Sequence, residues 1–173
     1  MLAPLSFRQA GLDDALCISG LATQVFLDTY ANHGMRPDLA EEALNVYAPK
    51  EFRQRLAEPD RVLLLAEQNG HLQGFAEIRP SSEAPLAQLV QGYELVRLYV
   101  QRHAQRQGIG QALLEHAEHL TRDRGASCLW LSAWAENHSA LAFYQTQGYA
   151  VVGNRTYEFG GNAYANQLLS KAC

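Results

Sequence analysis

"ELVRLYVQRHAQRQGIGQALLEHA", residues 94–117, decides the fold because it joins three kinds of local structure in one run. Its opening "ELVRLYV" is rich in β-branched and aromatic residues and reads as a strand. From Ile109 onward, Leu113, Ala117 and Leu120 recur at three- and four-residue steps, the period of a helix. Between them a polar run meets Gly108-Ile109-Gly110. A helix N-terminus carries unpaired N–H groups and a partial positive charge. A glycine-rich turn leading into one can therefore wrap a phosphate or diphosphate with main-chain donors alone. Two common phosphate loops fail on spacing. A dinucleotide fingerprint starting at Gly108 needs Gly or Ala where this chain has Leu113, and an acidic residue where it has "CLWLSAW". A P-loop needs Gly-Lys-Ser/Thr, which does not occur.

Working outward, the period of the pattern changes along the chain. Residues 4–9 read as a short strand, and Asp13 can cap a helix carrying Leu16, Leu21, Ala22, Val25 and Phe26. Pro37 starts a second helix, and "PKEFRQRLAEPD" a third that stops before Pro59. "RVLLLAEQ" and "HLQGFAEIR" flank Asn69-Gly70, the two-residue signal of a tight hairpin. Residues 80–91 read as a loop. "CLWLSAW" is apolar on both faces and reads as a central strand. Asn137 opens a helix closed by Gly148, and two strands follow at about 149–159 and 163–171. The helix from Ile109 ends at Gly125 after Arg122 and Arg124. The order predicts an α/β (α+β) fold, a mixed and mostly antiparallel twisted sheet with helices on both faces.

Bulk properties set the limits. The chain has 173 residues, 47% hydrophobic and 18% charged, which fits a single globular domain over 1–173, folding alone or as a small oligomer such as a homodimer. A net charge of -4 argues against a nucleic-acid partner. No stretch reaches the ~18 apolar residues of a membrane span, and "MLAPLSFRQAGLDD" lacks the pattern of a secretory leader. Cys17, Cys128 and Cys173 are odd in number and widely spaced, as reduced thiols of a cytoplasmic protein would be.

Gln105-x-x-Gly108-x-Gly110 after a strand matches the (Arg/Gln)-x-x-Gly-x-(Gly/Ala) signature of the GCN5-related N-acetyltransferases (GNAT), and the sequence resembles that family well beyond the loop. "LWLSAWAENHSALAFYQTQGY" is similar to the family's next strand and its Asn-x-x-Ala-x-x-Phe-Tyr-x-x-x-Gly-(Phe/Tyr) segment, here Asn137, Ala140, Phe143, Tyr144, Gly148 and Tyr149. Within the family the chain most resembles PaiA-type enzymes, which acetylate small amines and polyamines. It departs from them in the last strand, where Asn166 and Leu169 stand in place of an acidic residue and a methionine.

The resemblance implies acetyl-CoA as cofactor and a small-molecule amine as acceptor. It implies that the main chain of Leu98, Tyr99 and Val100 pairs with the pantetheine arm, and that the amides of Gln105, Arg106, Gln107, Gly108, Ile109 and Gly110 hold the diphosphate. Tyr144 matches the family's proton donor to the leaving thiolate and lies against the cofactor. A phenol near ~10 can protonate a thiolate whose acid titrates near ~8.5. Asn137 either fixes the cofactor's amide groups or caps the helix it begins. For the base that deprotonates the ammonium, Glu94 comes first, with Glu77, Glu136 and a water chain as alternatives.

Arg106 is either an anion contact or a solvated charge. His116 and His119 have metal-like spacing but no third ligand, so no metal is expected. Phe26, Asp28 and Tyr30 belong to the region that shapes the acceptor pocket in this family. The competing readings are a non-catalytic acyl-CoA-binding module, an enzyme acting on a protein or peptide amine, and a DNA-binding regulator that the acidic charge disfavours.

Overall fold

In the computed structural model the described residues are 4–173. Residues 1–3 of the expected single domain, and of the N-terminal stretch read as leaderless, lie outside them. Twelve regular elements follow one another: β1 (Ser6–Gln9), α1 (Ala15–Tyr30), α2 (Pro37–Asn45), α3 (Pro49–Ala57), β2 (Val62–Gln68), β3 (His71–Pro80), β4 (Tyr93–Val100), α4 (Ile109–Asp123), β5 (Cys128–Trp134), α5 (His138–Thr146), β6 (Ala150–Phe159) and β7 (Asn162–Ala172). The strands form one mixed sheet in the order β1-β2-β3-β4-β5-β7-β6. β4 runs parallel to β5, while β1 with β2, β5 with β7, and β6 with β7 are antiparallel. This is the mixed sheet with helices that the sequence predicts.

By internal packing the chain divides into two compact units. One holds the chain through Glu77 together with Arg97–Glu115, the other Ile78–Val96 together with His116–Cys173. In the first, α1 packs against α2 and α3, and prolines stand in the first turn of both α2 and α3, where a missing N–H costs nothing. Phe52 and Phe75 are fully buried and meet edge to face at 6.1 Å. Burial of each side chain stabilises by about 1.5–3 kcal/mol. Asn69 and Gly70 both have positive φ, 53° and 73°, so the hairpin between β2 and β3 turns as its sequence demands. The start of α1 differs from expectation. Asp13 lies in a short 3-10 turn, Leu12–Asp14, and it is Asp14 that accepts from the Gly11 amide at 2.8 Å.

In the second unit, β5, β7 and β6 form an antiparallel face over a core of Leu89, Cys128, Trp130 and Leu168. The stretch 80–91, expected as a plain loop, contributes to that core. Its 3-10 turn Ala87–Leu89 buries Leu89, and Ser81 accepts from the Trp130 indole at 2.5 Å. Gly92 is obligatory at the mouth of β4, because a Cβ there would lie 2.6 Å from the Cys128 sulfur and 2.8 Å from its carbonyl oxygen. Among the described residues no helix is long and apolar enough to cross a membrane.

Candidate active site

Of the residues singled out in the sequence, Leu98–Val100 and Gln105–Gly110 lie in the first unit, and Glu94, Asn137 and Tyr144 in the second. β4 carries residues of both. Among the described residues its parallel ladder with β5 joins Tyr93 to Leu129 and Glu94 to Trp130, and the registers stop there. Leu98, Tyr99 and Val100 therefore lie on the length of β4 beyond that ladder. On its other side β4 is pressed against β3. A Cβ on Gly74 would meet the Tyr99 carbonyl oxygen at 2.6 Å and the Val100 Cα at 3.2 Å, so only glycine permits this approach. A lone glycine inside a strand pattern is the signal that would have singled out Gly74. The Tyr99 side chain serves packing: its hydroxyl lies 3.0 Å from that of Tyr47, and its ring meets Phe75 at 5.6 Å.

After β4 a 3-10 turn, Arg102–Ala104, leads into the loop. Gln105 donates from Nε2 to the Val100 carbonyl at 3.1 Å, and Gln107 donates to the His103 carbonyl at 2.9 Å. Both glutamine side chains thus fold back onto the chain that precedes them. Arg106 has φ 58°, rare for a residue with a side chain, and Gly108 has φ 83°. Such left-handed residues in a turn bring successive N–H groups toward a common point. Gln105 through Gly108 are exposed, and nothing lies within 4 Å of where a Cβ on Gly108 would stand. The Gly108 carbonyl accepts from Ala112 at 2.9 Å and so begins α4. Among the described residues no side chain accepts from the amides of Gly108 to Gln111. Main-chain donors, open space and a helix N-terminus together fit a diphosphate.

The two acidic residues on β3 and β4 differ sharply. Glu77 is completely buried in the first unit, where Arg61 donates to one oxygen at 2.5 Å and Arg97 to the other at 2.7 Å. Burial alone would raise its pKa, but Arg97, Arg61 and Arg55 outweigh burial and lower it, so this carboxylate stays ionised and engaged. Glu94 in the second unit accepts from Arg79 at 2.7 Å, and its side chain is 13% exposed. Arg79 lies far from Glu94 in sequence, and no spacing rule announces their pairing. Glu136 is exposed. In the acceptor-shaping region of the first unit, Phe26 is buried against Tyr30 and Tyr47, while Asp28 is exposed. His116 and His119 are exposed, and among the described residues no group of three or more His, Cys, Asp or Glu side chains could hold a metal.

α5 carries the second motif. Asn137 caps it, accepting through Oδ1 from the Ala140 amide at 3.2 Å, and its Nδ2 donates to none of the described residues. Tyr144 sits one face along, 8% exposed, its ring 5.2 Å from that of Phe143 and 5.8 Å from that of Tyr149. Its hydroxyl makes no hydrogen bond among the described residues. Burial pushes the phenol pKa up, so it keeps its proton. Gly148, with φ 90°, ends the helix and turns the chain so that the Tyr149 amide donates to the Tyr144 carbonyl at 3.0 Å.

The chain is similar to known N-acetyltransferases in sequence and in fold. The chain is 30% identical over 146 residues to the uncharacterized N-acetyltransferase YhfO of Bacillus subtilis, across 84% of this chain and 89% of that protein. A stretch of 55 residues, 32% of this chain and 37% of the relative, is 42% identical to the ribosomal protein bS18-alanine N-acetyltransferase of Escherichia coli. The fold is similar to that of the PaiA N-acetyltransferase from Thermoplasma acidophilum, solved in complex with coenzyme A, with a TM-score of 0.80 over 98% of this chain and 99% of that one. At 20% identity, that likeness is one of fold. Residues 29–149 match the acetyltransferase (GNAT) family, and the chain with its linked loop and helix motifs belongs to that family.

Proposed function

We propose that residues 1–173 form a single N-acetyltransferase domain that moves the acetyl group of acetyl-CoA directly to the primary amine of a small molecule, with polyamines as the leading acceptor class. The observation that carries this reading is the open loop at the mouth of α4, where Arg106 and Gly108 take left-handed conformations and the first amides of the helix have no side-chain cap. When bound, acetyl-CoA supplies an activated thioester and the phosphates that such a loop can hold. The amides of Gln105 to Gly110 bind the diphosphate, and the main chain of Leu98, Tyr99 and Val100 takes the pantetheine arm as an added strand. Asn137 donates from Nδ2 to a cofactor amide oxygen while its Oδ1 caps α5.

Tyr144 holds the proton that the departing thiolate needs: burial keeps its phenol protonated, and because the same shift makes it a weaker acid, the transfer relies on its placement against the developing charge on sulfur. Glu94 takes the proton of the incoming ammonium, directly or through water, moving off Arg79 to do so. Glu77, held between Arg61 and Arg97, is a poor base by comparison. The three cysteines, all free, suit the reducing cytoplasm proposed as the place of work. A second reading, acetylation of a protein α-amine, is supported by the shorter match to the alanine N-acetyltransferase of Escherichia coli.

The test is release of free thiol from acetyl-CoA across polyamines, diamines, amino acids, aminoglycosides, a lysine peptide and a peptide beginning with alanine. A strong response to spermidine is expected. A response confined to the alanine peptide establishes the second reading, and silence across all of them with acetyl-CoA still bound leaves an acyl-CoA-binding module.

A further inference from the structure

Behind the Tyr144 ring stands a chain of contacts that no part of the proposed chemistry uses. Tyr149 is 3% exposed and its ring meets that of Tyr144 edge to face, centroids 5.8 Å apart. The Tyr149 hydroxyl donates to Glu118 Oε1 at 3.1 Å, and Lys171 donates to the other carboxylate oxygen at 2.8 Å. The Lys171 ammonium also lies 5.7 Å from the centre of the Tyr149 ring. Tyr149 is thus pinned at its amide by Tyr144, at its hydroxyl by Glu118 on α4 and over its ring by Lys171 on β7. The Glu118 side chain is only 14% exposed, so the ion pair with Lys171 is shielded in part from water.

The family's segment accepts Phe or Tyr at this position, and packing alone needs only the ring. A hydroxyl tied to a largely buried carboxylate adds a directional bond that packing does not require. The Tyr144 hydroxyl has no hydrogen bond among the described residues, so the orientation of its side chain depends on the rings that touch it. We infer that Glu118 is a positioning residue that holds Tyr144 in its proton-donating orientation through Tyr149, with Lys171 fixing the carboxylate. This rests on the proposed role of Tyr144.

The experiment compares Glu118→Ala and Glu118→Gln with the wild type in steady-state thiol release, using acetyl-CoA and the best acceptor amine, and repeats both in the Tyr144→Phe background. Glu118→Ala is expected to lower kcat about 3- to 10-fold and to leave KM for acetyl-CoA within about twofold, with no further loss once Tyr144 is Phe. Glu118→Gln, which keeps an acceptor for the Tyr149 hydroxyl, recovers most of kcat. Wild-type kcat in Glu118→Ala, or a loss that adds in full to that of Tyr144→Phe, overturns the inference. Should Glu118→Ala not fold, Tyr149→Phe, which removes the hydroxyl alone, carries the same expectations. The two claims fail separately. A crippled Tyr144→Phe beside an unaffected Glu118→Ala sinks only the positioning role, whereas wild-type kcat in Tyr144→Phe removes the proton donor and its positioning residue with it.

Discussion

Helices α4 and α5 each follow a strand closely, and each begins with main-chain N–H groups that the helix itself cannot pair. α5 meets this with a side chain: Asn137 turns its Oδ1 onto the Ala140 amide. α4 offers no side chain at all. Gly108 stands at its mouth with φ 83° and open space where a Cβ would be, and the first amides are left without a side-chain acceptor. One helix closes its own N-terminus with a side chain, and the other leaves it open, as the proposed diphosphate site requires. The difference also limits what Asn137 can do. With Oδ1 accepting in the cap, Nδ2 is the group left without a partner among the described residues, and it is the proposed contact to the cofactor.

The most severe way to break the comparison is to fill the mouth of α4. Gly110→Phe is expected to lower acetyl-CoA affinity by about 100-fold or more, because charge-assisted contacts to the diphosphate are lost. Titration calorimetry on the folded variant decides this, and an unchanged Kd would remove the loop as the diphosphate site. Next in size is Tyr144→Phe on α5, which should cut kcat about 10- to 100-fold with acetyl-CoA affinity nearly unchanged. The pH profile sharpens the same point. A phenol raised above its ordinary ~10 stays protonated through about pH 9, so wild-type kcat should show no alkaline fall between about pH 7 and 9. A descending limb in that window would assign the proton to another group.

The smallest effects separate the two roles of Asn137. Asn137→Ala removes the cap and should cost about 1 kcal/mol in denaturant unfolding, while Asn137→Ser keeps a capping oxygen and should cost only a few tenths. Both remove Nδ2, and both should weaken acetyl-CoA binding by about 3- to 10-fold. Wild-type affinity in Asn137→Ser would make the residue a cap and nothing more.

The elements were legible where local chemistry dictates them. Asn69-Gly70 can be little else than a tight turn, Pro37 and Pro49 stand in the first turns of their helices, and Gly108 marks the left-handed turn that leads into α4. Part of the candidate site was legible for the same reason, since Gln105, Gly108, Asn137 and Tyr144 sit in two short motifs. What escaped were contacts made across the sequence. Asp13 is the expected cap of α1, but a short 3-10 turn takes it up. Asp14, at the start of the helix, turns its carboxylate back to the Gly11 amide and to Arg8, whose guanidinium also holds Glu67, 59 positions away. Residues 80–91 look like a loop by composition, yet Leu89 reaches the core and Ser81 receives the Trp130 indole.

The sequence by itself determined the family and the order of strands and helices, and it pointed to the loop proposed for the diphosphate, because periodicity, turn chemistry and glycine spacing act over a few residues. Only the tertiary structure decided how firmly each carboxylate is held. Glu77 and Glu94 look alike on neighbouring strands, but Glu77 is completely buried between Arg61 and Arg97, while Glu94 is part-exposed and accepts from Arg79. It likewise tied Tyr149 to Glu118, 31 positions away, and Glu118 to Lys171, 53 positions away. The physical reason is the same in each case: a charge or a hydroxyl takes its meaning from what surrounds it, and those surroundings come from distant parts of the chain.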